Sequence, residues 1–163
     1  MKGFTPGLFD RLMDVPVTGS SRGTVTRMSI EDLKDSVARD LEALLNTRTV
    51  FSEELLKRFP ECARSIATYG LADFAGRSLS STDDRAYICT CLEKAIGRHE
   101  PRLRNVKASL EVREDSTNRL NFAINALLVV SQSQEPVNFD AILQPSSLHY
   151  TISKARRLAS GGA

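Results

Sequence analysis

The feature that most constrains this chain is a change in the spacing of its apolar residues near position 103. Before it, apolar side chains recur at three- and four-residue steps, the repeat of an amphipathic helix. Ile30, Leu33, Val37, Leu41, Leu44 and Leu45 form one such stripe, ending near Asn46. Tyr87, Ile88, Cys91, Leu92, Ala95 and Ile96 form another. After the change the repeat is two. Val106, Ala108, Leu110 and Val112 alternate with Lys107, Ser109, Glu111 and Arg113. Leu120, Phe122, Ile124, Ala126, Leu128 and Val130 resume the alternation. A period of two puts successive side chains on opposite faces of a strand. Helices followed by strands predict an α+β domain, with N-terminal helices packed on a small C-terminal antiparallel sheet.

Local signals set the boundaries. Ser29 is the expected N-cap of the first helix, with Asp32 three residues on in a near capping-box pattern. Ser52 is expected to cap a short helix from Glu53 to Phe59, which Pro60 interrupts. Gly70 closes a turn among Ile66, Tyr69, Leu71 and Phe74. Ser81 or Thr82 caps the next long helix, where Asp83 and Asp84 suit the positive end of the dipole. Gly97 and Pro101 bracket its end. A polar stretch from Glu114 to Asn118 joins the first two strands into a hairpin. A third run, after Glu135-Pro136, carries Val137, Phe139 and Ala141, and a fourth carries Leu148, Tyr150 and Ile152. The Gly-, Pro- and Ser-rich composition of residues 1–28 reads as a flexible arm, residues 29–153 as a single domain, and residues 154–163 as a mobile basic tail.

The totals exclude several classes of function. A chain of 163 residues suits one domain, and an apolar fraction of 41% supports a core. A net charge of +2 argues against a nucleic-acid module with a strongly basic face, and Lys154, Arg156 and Arg157 read as a solvated tail. The odd count of three cysteines, with no apolar leader in the first residues, points to a reducing, cytoplasmic setting. The longest apolar run, Ala126 to Val130, is far short of a bilayer span, so no direct membrane insertion is expected. No glycine spacing matches a dinucleotide or P-loop fingerprint, and no cofactor is expected. Cys89 and Cys91 with His99 make a poor metal set, because on a helix the two thiols point apart. Glycoside hydrolysis needs two carboxylates, and Glu100 has no partner identifiable from the sequence. The chain is read as a non-enzyme.

One stretch invites a specific role. Arg98-His99-Glu100-Pro101-Arg102-Leu103 joins the last long helix to the first strand. Proline stiffens the corner, and Arg102 offers a planar five-donor fork suited to carboxylates or carbonyls. A rigid loop showing a glutamate and an arginine suits a protein contact. The plainer alternative is a structural corner in which Glu100 pairs with a neighbouring arginine. Leu8, Phe9 and Leu12 likewise read either as a helical turn that docks on a partner or as a frayed end packed on its own domain.

The corner Glu100-Pro101-Arg102-Leu103 resembles the hallmark of the TssE family. Its members are small baseplate subunits of bacterial type VI secretion systems, related to wedge proteins of contractile phage tails. Other blocks agree in order. Gly7-Leu8-Phe9-Asp10-Arg11-Leu12 is similar to the family's N-terminal segment, and Leu44-Leu45-Asn46-Thr47-Arg48 to the close of its first helix. Ser65-Ile66 and Tyr69-Gly70-Leu71-Ala72-Asp73-Phe74 resemble a further block, with Ala72 where proline is usual. Leu120 to Ala126 and Val137 to Asp140 resemble its paired strands. The resemblance implies a structural subunit that joins TssF and TssG in a wedge, beneath a sheath of TssB and TssC whose subunits exchange strands. It admits TssK and the VgrG spike hub as further contacts, in a cytoplasmic baseplate docked at the inner membrane. A phage-derived contractile particle is the alternative setting, and a cell-wall hydrolase, after the family's lysozyme-like label, is the remote one. Glu100, Pro101 and Arg102 are then the expected contact loop, with Leu8, Phe9 and Leu12 as a docking arm. On this reading Arg102→Ala leaves the domain folded and weakens assembly.

Overall fold

The structure is a computed structural model and describes residue 12 and residues 29–74, 76–78, 80–111, 119–130 and 133–154. Helix α1 spans Ile30–Asn46. A reciprocal cap fixes its start: the Asp32 amide donates to Ser29 Oγ at 3.1 Å, and the Ser29 amide donates to Asp32 Oδ2 at 3.0 Å. Two donors that a helix start leaves orphaned are thereby satisfied. The short helix α2, Glu53–Arg58, carries the Ser52 cap, and all of its residues reach solvent. Two 3₁₀ turns, Cys62–Arg64 and Ile66–Thr68, lead to Gly70. Helix α3 spans Thr82–His99, capped by Ser81 and ending on Glu100.

Four strands follow: β1 (Leu103–Glu111), β2 (Leu120–Val130), β3 (Ser133–Gln144) and β4 (His149–Lys154). They form one antiparallel meander in the order β1-β2-β3-β4. The register places Ile124 beside Phe139, Phe122 beside Ala141, and Leu143 beside Tyr150. These residues share one face and meet Val37, Leu41, Leu44 and Leu45 of α1 and Ile88, Leu92 and Ile96 of α3 in a single core. The α+β arrangement read from the sequence is the arrangement found. On the far face Ser109, Ala123, Asn125, Asn138 and Asp140 keep the alternation polar or small.

The two long helices also reach the sheet's edges. Along β4, Asn46 holds both main-chain polar groups of Tyr150: Asn46 Nδ2 donates to the Tyr150 carbonyl and the Tyr150 amide donates to Asn46 Oδ1, each at 2.8 Å. The Ile152 amide donates to Glu42 Oε2 at 2.8 Å. Along β1, the Ala108 amide donates to Glu93 Oε1 of α3 at 2.9 Å. An edge strand otherwise offers such groups to any passing strand.

Several local readings need correction. Tyr87 does not lie in the buried stripe of α3: it is 40% exposed, and its ring lies 4.2 Å under the Arg77 guanidinium. The third strand starts at Ser133 and contains Pro136, rather than following it. Proline is tolerated because β4 pairs with β3 only from Phe139 onward, so at Pro136 the strand has an open edge. Leu148 precedes β4 instead of opening it, and its φ of 53° is left-handed. Lys154, expected at the head of the basic tail, closes β4 and bonds Asp35 of α1 at 2.6 Å. Residues 1–11 and 13–28 of the expected arm, Leu8 and Phe9 among them, lie outside the described residues.

Gly70 shows how tightly the loops are seated. The Leu71 amide donates to the Thr47 carbonyl at 2.8 Å, and the Thr49 amide donates to the Leu71 carbonyl at 2.9 Å. To make that parallel bridge, Gly70 adopts a φ of 120°, and an added Cβ would sit 2.6 Å from the Thr47 oxygen. Both the dihedral and the clash exclude a side chain. Gly70→Ala should therefore cost on the order of 2–4 kcal/mol, read as a lower urea midpoint. An unchanged midpoint would mean that the 69–71 loop can be displaced freely.

Candidate protein-binding site

The corner is built from three elements at once. Glu100 ends α3, its amide donating to the Ile96 carbonyl at 2.8 Å. Pro101 is exposed at the bend. The Leu103 amide returns to the Glu100 carbonyl at 3.1 Å, and the Val129 amide of β2 donates to the Arg102 carbonyl at 2.8 Å. The backbone is thus tied to the sheet before β1 begins.

The side chains tie it to α1. Glu100 is only 5% exposed. Its Oε1 accepts from the Arg102 amide at 3.0 Å and from Arg102 Nε at 2.8 Å, and its Oε2 accepts from Nη2 at 2.6 Å. Arg102 Nη1 donates to Ser36 Oγ at 3.2 Å, and Nη2 also donates to Asp40 Oδ2. Burial opposes the charge on Arg102, but the bonds and charges of Glu100, and then of Asp40, outweigh it and hold the guanidinium above its ordinary pKa. The arrangement is a planar fork satisfied on several sides, which a lysine could not reproduce. Glu100, expected at the contact surface, turns its carboxylate inward. Arg102 is the residue that holds the loop in place, with 26% of its side chain left exposed. Leu12, the described part of the expected docking arm, is 70% exposed.

A second contact braces the same corner. His99 Nε2 lies 2.9 Å from the Thr68 carbonyl and 3.2 Å from Thr68 Oγ1, so its N–H donates there. The Tyr69 ring meets the His99 ring edge-on at 5.4 Å between centroids. Burial, partly offset by the Thr68 carbonyl, lowers the His99 pKa, and Arg98 lowers it further. Tyr69 is pushed up by burial and then by the nearby charges of Asp40 and Glu100. Thus Tyr69, His99, Glu100, Arg102 and Asp40 occupy one neighbourhood.

The partnership of Arg102 with Ser36 and Asp40 was not visible in the sequence. The signal was there in one respect: Ser36 interrupts the polar-apolar order of α1 and is 2% exposed. Among the described residues no group of three His, Cys, Asp or Glu is placed to hold a metal ion. Likewise no helix among them is long and apolar enough to cross a membrane.

This geometry changes the expected effect of Arg102→Ala. Removing the fork strands a buried carboxylate, so the domain should lose about 2–4 kcal/mol, below the 3–5 of a fully buried pair because Arg102 keeps solvent contact. Adding Glu100→Gln to Arg102→Ala should restore part of that loss, since it removes the stranded charge. Strict additivity in the double-mutant cycle would sink the clamp. The lowered pKa of His99 adds a pH dependence. The unfolded chain binds the proton more readily, so this contribution to stability is present above the ordinary histidine range and is lost as pH falls through it. Melting curves at several pH values should show a shallower acid-side fall for His99→Gln than for the natural chain.

The corner can be set beside known proteins. The family model for the baseplate wedge protein gp25 matches residues 31–133, more than half of the chain and the whole span from α1 to the start of β3. A solved structure described as "The baseplate complex from the type VI secretion system" contains a chain that aligns with a TM-score of 0.46 and 16% identity, over 70% of this chain and 96% of that chain. No curated protein matches the sequence. The TssE-like reading of the sequence is therefore borne out at the level of the wedge family, whose members are structural baseplate proteins. With α1, the Glu100–Arg102 corner and the first strands all inside the matched span, the chain belongs to the baseplate wedge protein gp25 family.

Proposed function

We propose that this wedge-family chain fills the TssE position of a type VI secretion baseplate. It would join TssF and TssG and seat the TssB–TssC sheath, in the cytoplasm at the inner membrane. What supports the reading is that the blocks resembling TssE are distant in sequence and adjacent in space. Arg48 bridges to Leu71, Tyr69 meets His99, and Arg102 reaches Asp40. The outer rim of that junction carries Pro101, part of Arg102 and the exposed Arg104. In this proposal Pro101 and the rim of Arg102, buttressed by Glu100, face TssF or TssG, and Leu8, Phe9 and Leu12 dock alongside.

The role is proposed as structural. Glu100 and Asp40 do converge, but the Arg102 guanidinium lies between them, where a glycosidic oxygen would have to sit. Sheath attachment is proposed at β1. Strand addition needs outward-facing amides and carbonyls, and at β4 Asn46 and Glu42 already bond those of Tyr150 and Ile152. At β1 the contacts among the described residues are the Glu93 bond to the Ala108 amide and a bond from the Leu110 backbone to the Cys89 thiol, with no outward carbonyl among them.

The test is affinity purification of the tagged chain from its own cell after mild crosslinking. Recovery of TssF, TssG and sheath subunits is expected. Recovery of phage structural chains instead would favour a phage-derived particle, and recovery of none, where other baseplate subunits co-purify, would overturn the assignment. Ala108→Pro removes the edge donor that an incoming strand would take over from Glu93, and should lower sheath recovery about tenfold while TssF and TssG remain, because strand addition depends on consecutive main-chain bonds. Undiminished sheath recovery would remove β1 from the proposal.

A further inference from the structure

Beneath the turn between β3 and β4, away from the Glu100 corner, lies an open cavity of about 180 Å³. Phe74, Ile88, Leu143, Pro145 and Leu148 supply its apolar wall, and Arg48, Arg77 and Tyr150 complete it. For scale, a cavity of about 150 Å³ lined by leucine, isoleucine and phenylalanine admits a benzene ring. The space therefore suits one large apolar side chain.

Three features of the wall bear on what could fill it. Tyr150 is fully buried, and its hydroxyl has no hydrogen-bond partner among the described residues. A buried hydroxyl without a partner is costly, and phenylalanine would pack there without that cost. Next, Leu148 is held at a φ of 53°, a conformation that suits glycine or asparagine and burdens leucine. Its carbonyl is pinned by Arg48 Nη2 at 2.7 Å, and its side chain remains 36% exposed. Finally, Arg48 spends its guanidinium on the carbonyls of Leu45, Thr47 and Leu148, acceptors that carry no formal charge. Burial pushes the Tyr150 phenol up to about 12, and the Arg48 charge partly offsets that rise. Arg77 adds a second guanidinium at the rim, bonded to Asp84 at 3.0 Å.

We propose that this cavity receives an apolar side chain, flanked by a carboxylate, from a neighbouring chain of the baseplate. The apolar wall takes the side chain. The carboxylate answers the Arg48 charge and gives the Tyr150 hydroxyl an acceptor. Leu148 is kept in its strained backbone state to complete the wall. A small, recessed socket with charged rims is the geometry in which interface energy concentrates once a partner closes it. The inference rests on the assembly role proposed above.

Two variants test it, because folding and docking make opposite demands on them. Leu148→Gly relieves the left-handed strain and opens the wall. Tyr150→Phe deletes the unpartnered hydroxyl and keeps the ring. Each should melt at the same temperature as the natural chain or higher, yet recover at least one baseplate subunit about tenfold less well from crosslinked cells. Equal recovery by both variants, from cells in which the natural chain recovers its partners, would overturn the socket and leave the baseplate assignment standing. A drop in melting temperature for Leu148→Gly would make the turn structural and also overturn it. Light scattering that shows a dimer of the purified chain, lost in Leu148→Gly, would put a second copy in the cavity and overturn the choice of occupant. Failure of the natural chain to recover any baseplate subunit would instead remove the assignment on which the socket rests.

Discussion

Much of this fold hangs on one carboxylate. Glu100 caps the end of α3 and is almost wholly buried, so it requires a cation within the chain. The cation comes from two residues away, across a proline, and its fork is long enough to reach α1 as well. A single guanidinium therefore fixes the last turn of one helix, the middle of another and the entry to the sheet. The backbone of the same arginine accepts from β2. If that joint moved, the register of β1 would lose its starting point. Asn105 stresses the point: it takes a left-handed φ of 52° just where the β1–β2 register shifts, immediately after the joint.

The blocks that resemble the secretion-system subunit have physical work to do inside the chain. Asn46 substitutes for a strand against β4, Arg48 holds the β3–β4 turn, Gly70 lets two loops close to bonding distance, and Tyr69 leans on His99. These are joints between elements far apart in sequence. A subunit that must keep its shape while many neighbours pull on it benefits from such polar joints, because their geometry is directional in a way that a purely apolar contact is not. The contact surface proposed above is then free to be simple, built on an exposed proline and part of an arginine.

What could be read from the sequence follows from what is periodic or local. The two amphipathic helices, their serine caps and the alternation of β2 are written in neighbouring residues, and each appears where expected. Strand β3 was misplaced at its start because proline argues against a strand unless one knows that its partner is short. Tyr87 was misassigned because a stripe read at three- and four-residue steps does not say how wide the packing face is. The corner was legible as an unusual run of residues but not as a clamp. Nothing local announces that Arg102 meets Ser36 and Asp40, since the separations of 66 and 62 residues are closed by packing alone. Likewise the socket under the β3–β4 turn depends on a left-handed leucine that no pattern foretells.

The helix side chains along the sheet's margins bear on life before assembly. Subunits of a large particle are made one at a time and must wait for their neighbours. During that wait, a meander with bare margins would zip onto another copy of itself, and open chains of such contacts grow without limit. Asn46 and Glu42 answer the amides and carbonyl on one side, and Glu93 answers on the other. Because these covers are side chains rather than strands, a neighbour arriving in the right orientation can displace one without unfolding anything. Covers of this kind would hold a free chain back from premature polymers and still yield to the baseplate contacts proposed above.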